Sequence, residues 1–159
     1  RVTKVDLSAL TEETVHTLQI AAEQKGQTLT ADIAPGITLD GDSGKLMQIF
    51  YNLTDNAIKY TPENGHIAVR LAQSGANVLF AVTDDGIGIP EEDQKHIFER
   101  FYRVDKARSR ATGGTGLGLS IVRQLAAMHG GTVSVSSQPV QGATFTVTLP
   151  MDAKRGEKA

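Results

Sequence analysis

The chain has 159 residues, 40% apolar and 21% charged, with a formal net charge of −2 and no cysteine. That length suits one domain with a buried core. The composition excludes disulfides and thiolate metal sites, and the charge argues against nucleic acid, whose backbone needs a clustered positive face.

No apolar run approaches the roughly 20 residues of a membrane span, and no signal peptide is visible. The first residue is Arg1, which reads as a fragment or a processed product. Residues 8–25 read as a helix with Val15, Leu18 and Ala22 on one face and Gly26 as its stop. Thr28 to Ile33 alternates like a strand, Pro35-Gly36 turns, and a short strand covers 37–39. Asp42 or Ser43 caps a helix over about 44–60, whose apolar face is Leu46, Ile49, Phe50, Leu53 and Ala57. Two strands, 66–73 and 77–83, form an antiparallel hairpin through Ser-Gly-Ala. A short helix is expected around 91–98, a long mobile loop over 99–116, and a helix over 117–129 with Ile121, Val122, Leu125 and Met128 inward. Gly130-Gly131 ends it, and a closing hairpin pairs 132–136 with 143–149. The expected fold is α+β: a two-layer sandwich, its mixed, mainly antiparallel sheet covered on one face by helices. Residues 1–151 form one domain, and 152–159 a charged, frayed tail.

Asn52, Asn56 and Lys59 fall on one stripe of the second helix, at spacings of four and three residues. They lie about 110° from the centre of its apolar face, taking ~100° per residue, at the margin of the core. The stripe offers neutral oxygens and one cation without a carboxylate. It suits a metal-bound polyphosphate held without activation of water. Asn56 is the candidate direct Mg²⁺ ligand, Asn52 a direct or water-mediated one, and Lys59 a point charge for phosphate. The competing reading is a solvated polar face, although two mid-helix asparagines beside a core stripe call for a reason.

In the run DDGIGIP, Asp85 is read as a buried carboxylate that accepts an exocyclic amine, which suits adenine, and Gly86 and Gly88 as permitting close approach of a flat ring. A plain Asp-Gly turn is the competing reading. GGTGLGL at 113–119 opens a helix, where consecutive N–H groups cradle anions. Arg103 and Arg108 precede that cradle and could meet terminal phosphates, while Lys106 and Arg110 read as solvated charge. Phe98, Phe101 and Tyr102 could anchor the base of the loop on the core or on a partner domain. His16, His66, His96 and His129 have no metal spacing and read as structural or surface residues.

These elements, in this order, resemble the ATP-binding catalytic domain of bacterial sensor histidine kinases. Its Bergerat-type fold is shared with gyrase, mismatch-repair and heat-shock chaperone ATPases. The N box resembles Asn52 to Tyr60, the first glycine box 84–90, the F box 97–105 and the second glycine box 114–122. The likeness runs from VDLSAL near the start to FTVTLP near the end. It implies that Asn56 holds Mg²⁺ with Asn52 assisting, and that Lys59 and Tyr60 line the phosphate side. Asp85 would receive the adenine amine, with Gly86 and Gly88 beside the ring. Arg103 and Arg108 would meet the phosphates. Gly114, Gly116 and Gly118 would shape a lid that also includes Thr115 and Leu117, Thr115 at a position where the family places varied polar residues.

The family's phosphate-accepting histidine sits in a His-Glu motif on a separate helical hairpin, and no histidine here is followed by Glu. The resemblance therefore implies a chain that binds ATP or ADP with Mg²⁺ but does not phosphorylate itself. It also implies a dimerisation and acceptor domain as partner, a response regulator downstream, a monomeric isolated fragment, and a cytoplasmic location within a parent anchored in the inner membrane. The hydrolysing relatives carry Glu one turn before the metal-binding Asn, where this chain has Asn52. An amide takes no proton at neutral pH, whereas a neutral imidazole already offers a lone pair. The pattern favours transfer to a protein histidine over a free-standing ATPase or a nucleotide-binding module.

Overall fold

The computed structural model describes residues 2–86, 88–89, 91–94, 96–99, 118–137 and 142–151. In chain order the elements are β1 (Thr3–Asp6), α1 (Leu7–Gln24), β2 (Thr28–Ile33), β3 (Thr38–Gly41), α2 (Ser43–Tyr60), β4 (His66–Ser74), β5 (Asn77–Asp84), α3 (Glu91–Gln94), α4 (Gly118–Met128), β6 (Thr132–Ser137) and β7 (Ala143–Pro150). A five-stranded sheet has the order β2-β4-β5-β7-β6. Among the described strands only β2–β4 is parallel, joined by a crossover through β3 and α2. The other pairs are antiparallel. β1 and β3 form a separate antiparallel pair.

Alternation decides which face of each strand meets the helices. β4 buries Ile67, Val69 and Leu71, and β7 buries Ala143, Phe145, Val147 and Leu149. β5 buries Val78, Phe80, Val82 and then Asp84. Leu46, Ile49, Phe50, Leu53 and Ala57 of α2 are each at most 2% exposed. Phe50 stacks on Phe80, ring centroids 4.0 Å apart and planes 6° from parallel, and so fixes α2 over β5.

Helix boundaries follow local chemistry. Asp6 caps α1 by accepting the Ala9 N–H at 3.0 Å, and Asp42 caps α2 by accepting that of Lys45 at 3.1 Å. α1 stops at Gly26, left-handed at φ 77°, with Gly26 N–H on Glu23 O and Gln27 N–H on Ala22 O. α4 ends the same way at Gly130, with Gly131 N–H on Ala126 O.

The sandwich matches the expected fold, with three differences. β1 is not anticipated by the sequence reading; it is short, and only Val5 is buried in it. The helix expected over 91–98 is the single turn Glu91–Gln94. Met128 is 57% exposed, not inward. The inward stripe of α4 is Val122, Leu125 and Ala126, continued by His129 just past its last residue, a spacing of three, four and seven residues that leaves 128 outside. Among the described residues no helix is long and apolar enough to cross a membrane.

Candidate nucleotide site

α2 presents Asn52, Asn56, Lys59 and Tyr60 as partly buried side chains beside its core stripe. Lys59 Nζ lies 3.3 Å from Asp55 Oδ2, four residues earlier, so an acid does reach the edge of the stripe. Both partners are about a third exposed, so the pair is worth only a few tenths of a kcal/mol, about 0.3–0.5. An anion could exchange into it at little cost.

The carboxyl end of α2 is held from outside. Lys25 Nζ donates to Ile58 O at 2.8 Å and Lys59 O at 2.9 Å. Gln27 Nε2 donates to Ile58 O at 2.8 Å and Thr61 O at 2.6 Å. The last carbonyls of a helix lack intrahelical donors, and a cation there also meets the negative end of the helix dipole. The short α1–β2 connection thus fixes the turn that carries Lys59 and Tyr60.

The carboxylate expected in a buried place at the end of β5 is not Asp85. Strand period puts Asp84 inward, 9% exposed, and turns Asp85 outward with half its side chain in solvent. Asp85 is occupied by His66: Oδ1 accepts the His66 backbone N–H at 2.7 Å, and Oδ2 lies 2.8 Å from His66 Nδ1. That backbone N–H chiefly holds the Asp85 carboxyl below 3.8, helped by the imidazole. Asp84 moves the other way. Burial pushes its carboxyl above 3.8, against the pull of the Gly86 and Ala143 backbone N–H groups, and the charge of Asp85 adds to the rise.

The glycines make the junction possible. Asp84 Oδ1 accepts the Gly86 N–H at 2.9 Å. A β-carbon on Gly86 would fall 2.8 Å from Tyr60 O and 3.1 Å from Asp84 Oδ1, so the turn after β5 lies directly against the end of α2. Gly88 is left-handed at φ 76°. Gly142, at φ 89°, lies so close to the Asp84 carbonyl that a β-carbon would collide with it.

A second network secures the same turn. Ser137 Oγ accepts the Ile89 N–H and donates to Gly142 O, both at 2.8 Å. Gln94 Nε2 donates to Ile89 O at 2.8 Å and Ser137 O at 3.0 Å. At the base of the F-box segment, Phe98 meets Phe145 edge to face, with centroids 6.1 Å apart.

The structure places Asn52, Asn56, Lys59 and Tyr60 as partly buried residues of α2 and sets Gly86 against the end of that helix at Tyr60. Gly118 begins α4. Arg103, Arg108, Gly114, Thr115, Gly116 and Leu117, with the loop expected over 99–116 apart from Glu99, lie outside the described residues. Asp84, Gly142, Ser137, Gln94, Lys25 and Gln27 are the contributors that the sequence reading passed over. For Asp84 the signal was there: 78, 80, 82 and 84 share a face. Two of the four histidines, His66 and His96, pair with carboxylates at the surface, and His129 is buried.

A family model described as histidine kinase-, DNA gyrase B-, and HSP90-like ATPase matches residues 41–153. The sensor-like histidine kinase SenX3 of Mycolicibacterium smegmatis is 46% identical over 146 residues, 92% of this chain and 38% of that protein, so the chain spans well under half of its relative's length. The catalytic domain of histidine kinase ThkA, in a nucleotide-free form, superposes with a TM-score of 0.84 at 27% identity, covering 98% of this chain and 99% of that one. Full-length ShkA in complex with AMPPNP gives 0.80 at 34% identity, covering 94% of this chain and 31% of that one.

Proposed function

Because this chain belongs to the histidine kinase-, DNA gyrase B-, and HSP90-like ATPase family, we propose that it binds Mg-ATP where α2 meets the end of β5. On this reading it delivers the γ-phosphoryl group to a histidine on a separate dimerisation domain. It is then the catalytic part of a sensor histidine kinase in two-component signalling, as its relatives' names suggest. The observation that carries the proposal is the junction itself: a buried carboxylate is linked through Gly86 to the end of a helix bearing two amides and an ammonium.

Asp84, in place of Asp85, accepts the adenine amine, since it is the buried acceptor. Gly88 leaves room beside the ring. Asn56 and Asn52 suit Mg²⁺ because amide oxygens are hard, neutral donors, here one helical turn apart at a half-buried margin. When bound, the ion neutralises phosphate charge and orients the phosphates. Lys59 exchanges its weak pairing with Asp55 for a phosphate oxygen, and Tyr60 lines the same side. On the resemblance alone, Arg103, Arg108 and the run Gly114, Thr115, Gly116, Leu117 and Gly118 close over the phosphates.

In the transfer, a neutral imidazole nitrogen of the acceptor bonds to the γ-phosphorus as the bond to the ADP oxygen breaks, leaving phosphohistidine and ADP. Asn52 cannot take a proton from water, so transfer is favoured over hydrolysis. The phosphoryl group then passes to a response regulator. The isolated chain is read as a monomer, and the same domain within a membrane-anchored parent as cytoplasmic.

The test mixes this chain with a separately made acceptor hairpin from a matching sensor kinase and γ-labelled ATP. Label on a hairpin histidine supports the reading. Steady phosphate release without the hairpin would support an ATPase instead, and nucleotide bound with neither outcome a binding module.

A further inference from the structure

His129 is a buried imidazole, 4% exposed, for which the proposed chemistry has no use. Its Nε2 accepts the backbone N–H of Asp42 at 3.1 Å, across 87 residues of sequence. Its Nδ1 lies 2.9 Å from the carbonyl of Leu125, four residues back in the last turn of α4. An N–H can only donate and a carbonyl can only accept, so the ring is the neutral tautomer with its proton on Nδ1. Gly41 is flush against the ring: a β-carbon there would fall 2.8 Å from His129 Cδ2, 3.0 Å from Nε2 and 2.9 Å from Leu46 Cδ1.

The bond joins the carboxyl end of α4 to the capping residue of α2. Since α4 also packs against α2, a helix that ends at this pin leads back toward the carboxyl half of α2. α4 has 11 residues and so extends about 16 Å back from the pin. Eleven residues along α2 from Asp42 is Leu53, next to Asn52. Equal rise along the two helices would set Gly118, which opens α4, level with the asparagine stripe. Apolar contacts between helices resist separation well but resist sliding poorly, and a slip of one residue is about 1.5 Å. A directional hydrogen bond with a fixed tautomer resists sliding.

We propose that His129 is a positioning residue that sets the axial register of α4 against α2, and with it the placement of the α4 amino end over Asn52 and Asn56. This rests on the nucleotide site proposed above. The pin acts on the phosphate end of that site and leaves the Asp84 end alone, because Asp84 is fixed by β5, Gly86 and Gly142.

The test compares binding of two ligands, Mg-AMPPNP by calorimetry and adenosine by NMR titration, in the folded chain. In His129→Gln, Oε1 can reproduce the acceptor at Nε2. In His129→Asn, the side-chain amide can bond only to Leu125. We expect His129→Asn to lose about fivefold or more in Mg-AMPPNP affinity, with adenosine affinity within about twofold of wild type, and His129→Gln to restore the former. Gly41→Ala, which pushes the ring off its seat, should give the same split and carries the test if His129→Asn does not fold. Equal losses for both ligands, no loss in His129→Asn, or failure of His129→Gln to rescue would each overturn the proposal. A wild-type chain that binds neither ligand would instead remove the nucleotide site on which it rests.

Discussion

His66 Nδ1 lies 2.8 Å from Asp85 Oδ2, and the His66 backbone N–H lies 2.7 Å from the other oxygen of the same carboxylate. Asp85 is thus occupied at the surface, and Asp84 is left as the buried acceptor at the end of β5. Asp84→Asn should weaken ATP binding by about tenfold or more, because an amide can present a donor where an acceptor is needed. Asp85→Asn should change it by less than about threefold. Calorimetric titration of the two variants decides between the neighbours; a larger loss in Asp85→Asn would reverse the assignment.

Asp84 also leaves a mark on stability. Its carboxyl is raised above 3.8 when folded, so the folded chain binds that proton more firmly than the unfolded chain. Below about pH 3.8 both states are protonated and the group has no effect. As pH rises from there through the folded value, the folded state loses stability, and the loss persists above that window. Asp84→Asn should therefore melt higher than wild type near neutral pH, with the gap closing in acid. Melting curves across that range check it, and parallel curves at every pH would contradict it. Asp85 has the opposite sign: its lowered carboxyl contributes stability above pH 3.8 that is lost as pH falls through its folded value.

Gly142→Ala should damage both fold and site. The new β-carbon would collide with the Asp84 carbonyl and lie 2.9 Å from the Asp85 α-carbon, at a left-handed φ of 89°. A cost of about 1–3 kcal/mol is expected, read by chemical denaturation, together with weaker adenosine binding. A variant as stable as wild type would show that the β5–β7 junction has slack.

Gln27→Leu tests the outside hold on α2. It strands the carbonyl of Thr61 and removes one of two donors to Ile58 O. Leaving a buried carbonyl without a partner costs about 1–3 kcal/mol. Denaturant unfolding should show that loss, with Mg-ATP affinity reduced as the turn bearing Lys59 and Tyr60 loosens. Unchanged affinity in the destabilised variant would confine Gln27 to folding.

Asn56→Ala addresses the cation. If amide oxygens hold Mg²⁺, wild-type affinity for ATP should rise when Mg²⁺ is added, and the variant should lose most of that rise while keeping its affinity for adenosine. Identical Mg²⁺ dependence in both proteins would remove Asn56 from the ion's shell.

What could be read without coordinates was whatever local period encodes. The apolar stripe of α2 and the two hairpins stand where the pattern places them, because one face of each must enter the core. Asp84 and Asp85 show the limit of a motif read without its strand: the choice between them depends on counting back to Val78, and the parity puts Asp84 inside. Met128 fails for a related reason, since the buried His129 takes the stripe position that an apolar residue was expected to fill. Lys25, Gln27, Ser137 and Gln94 were not legible at all. Lys25 and Gln27 act on carbonyls of α2 and its end, more than 30 residues away in sequence, and Gln94 reaches Ser137 O across 43 residues, so no local pattern marks them.

The central claim places Mg-ATP between α2 and the end of β5. The most direct measurement is a backbone-amide NMR titration of this chain with ATP and Mg²⁺. Saturable shifts centred on Asp84, Gly86, Gly88 and the stretch from Asn52 to Tyr60 are predicted. A folded chain whose spectrum does not change, or changes only elsewhere, would contradict it.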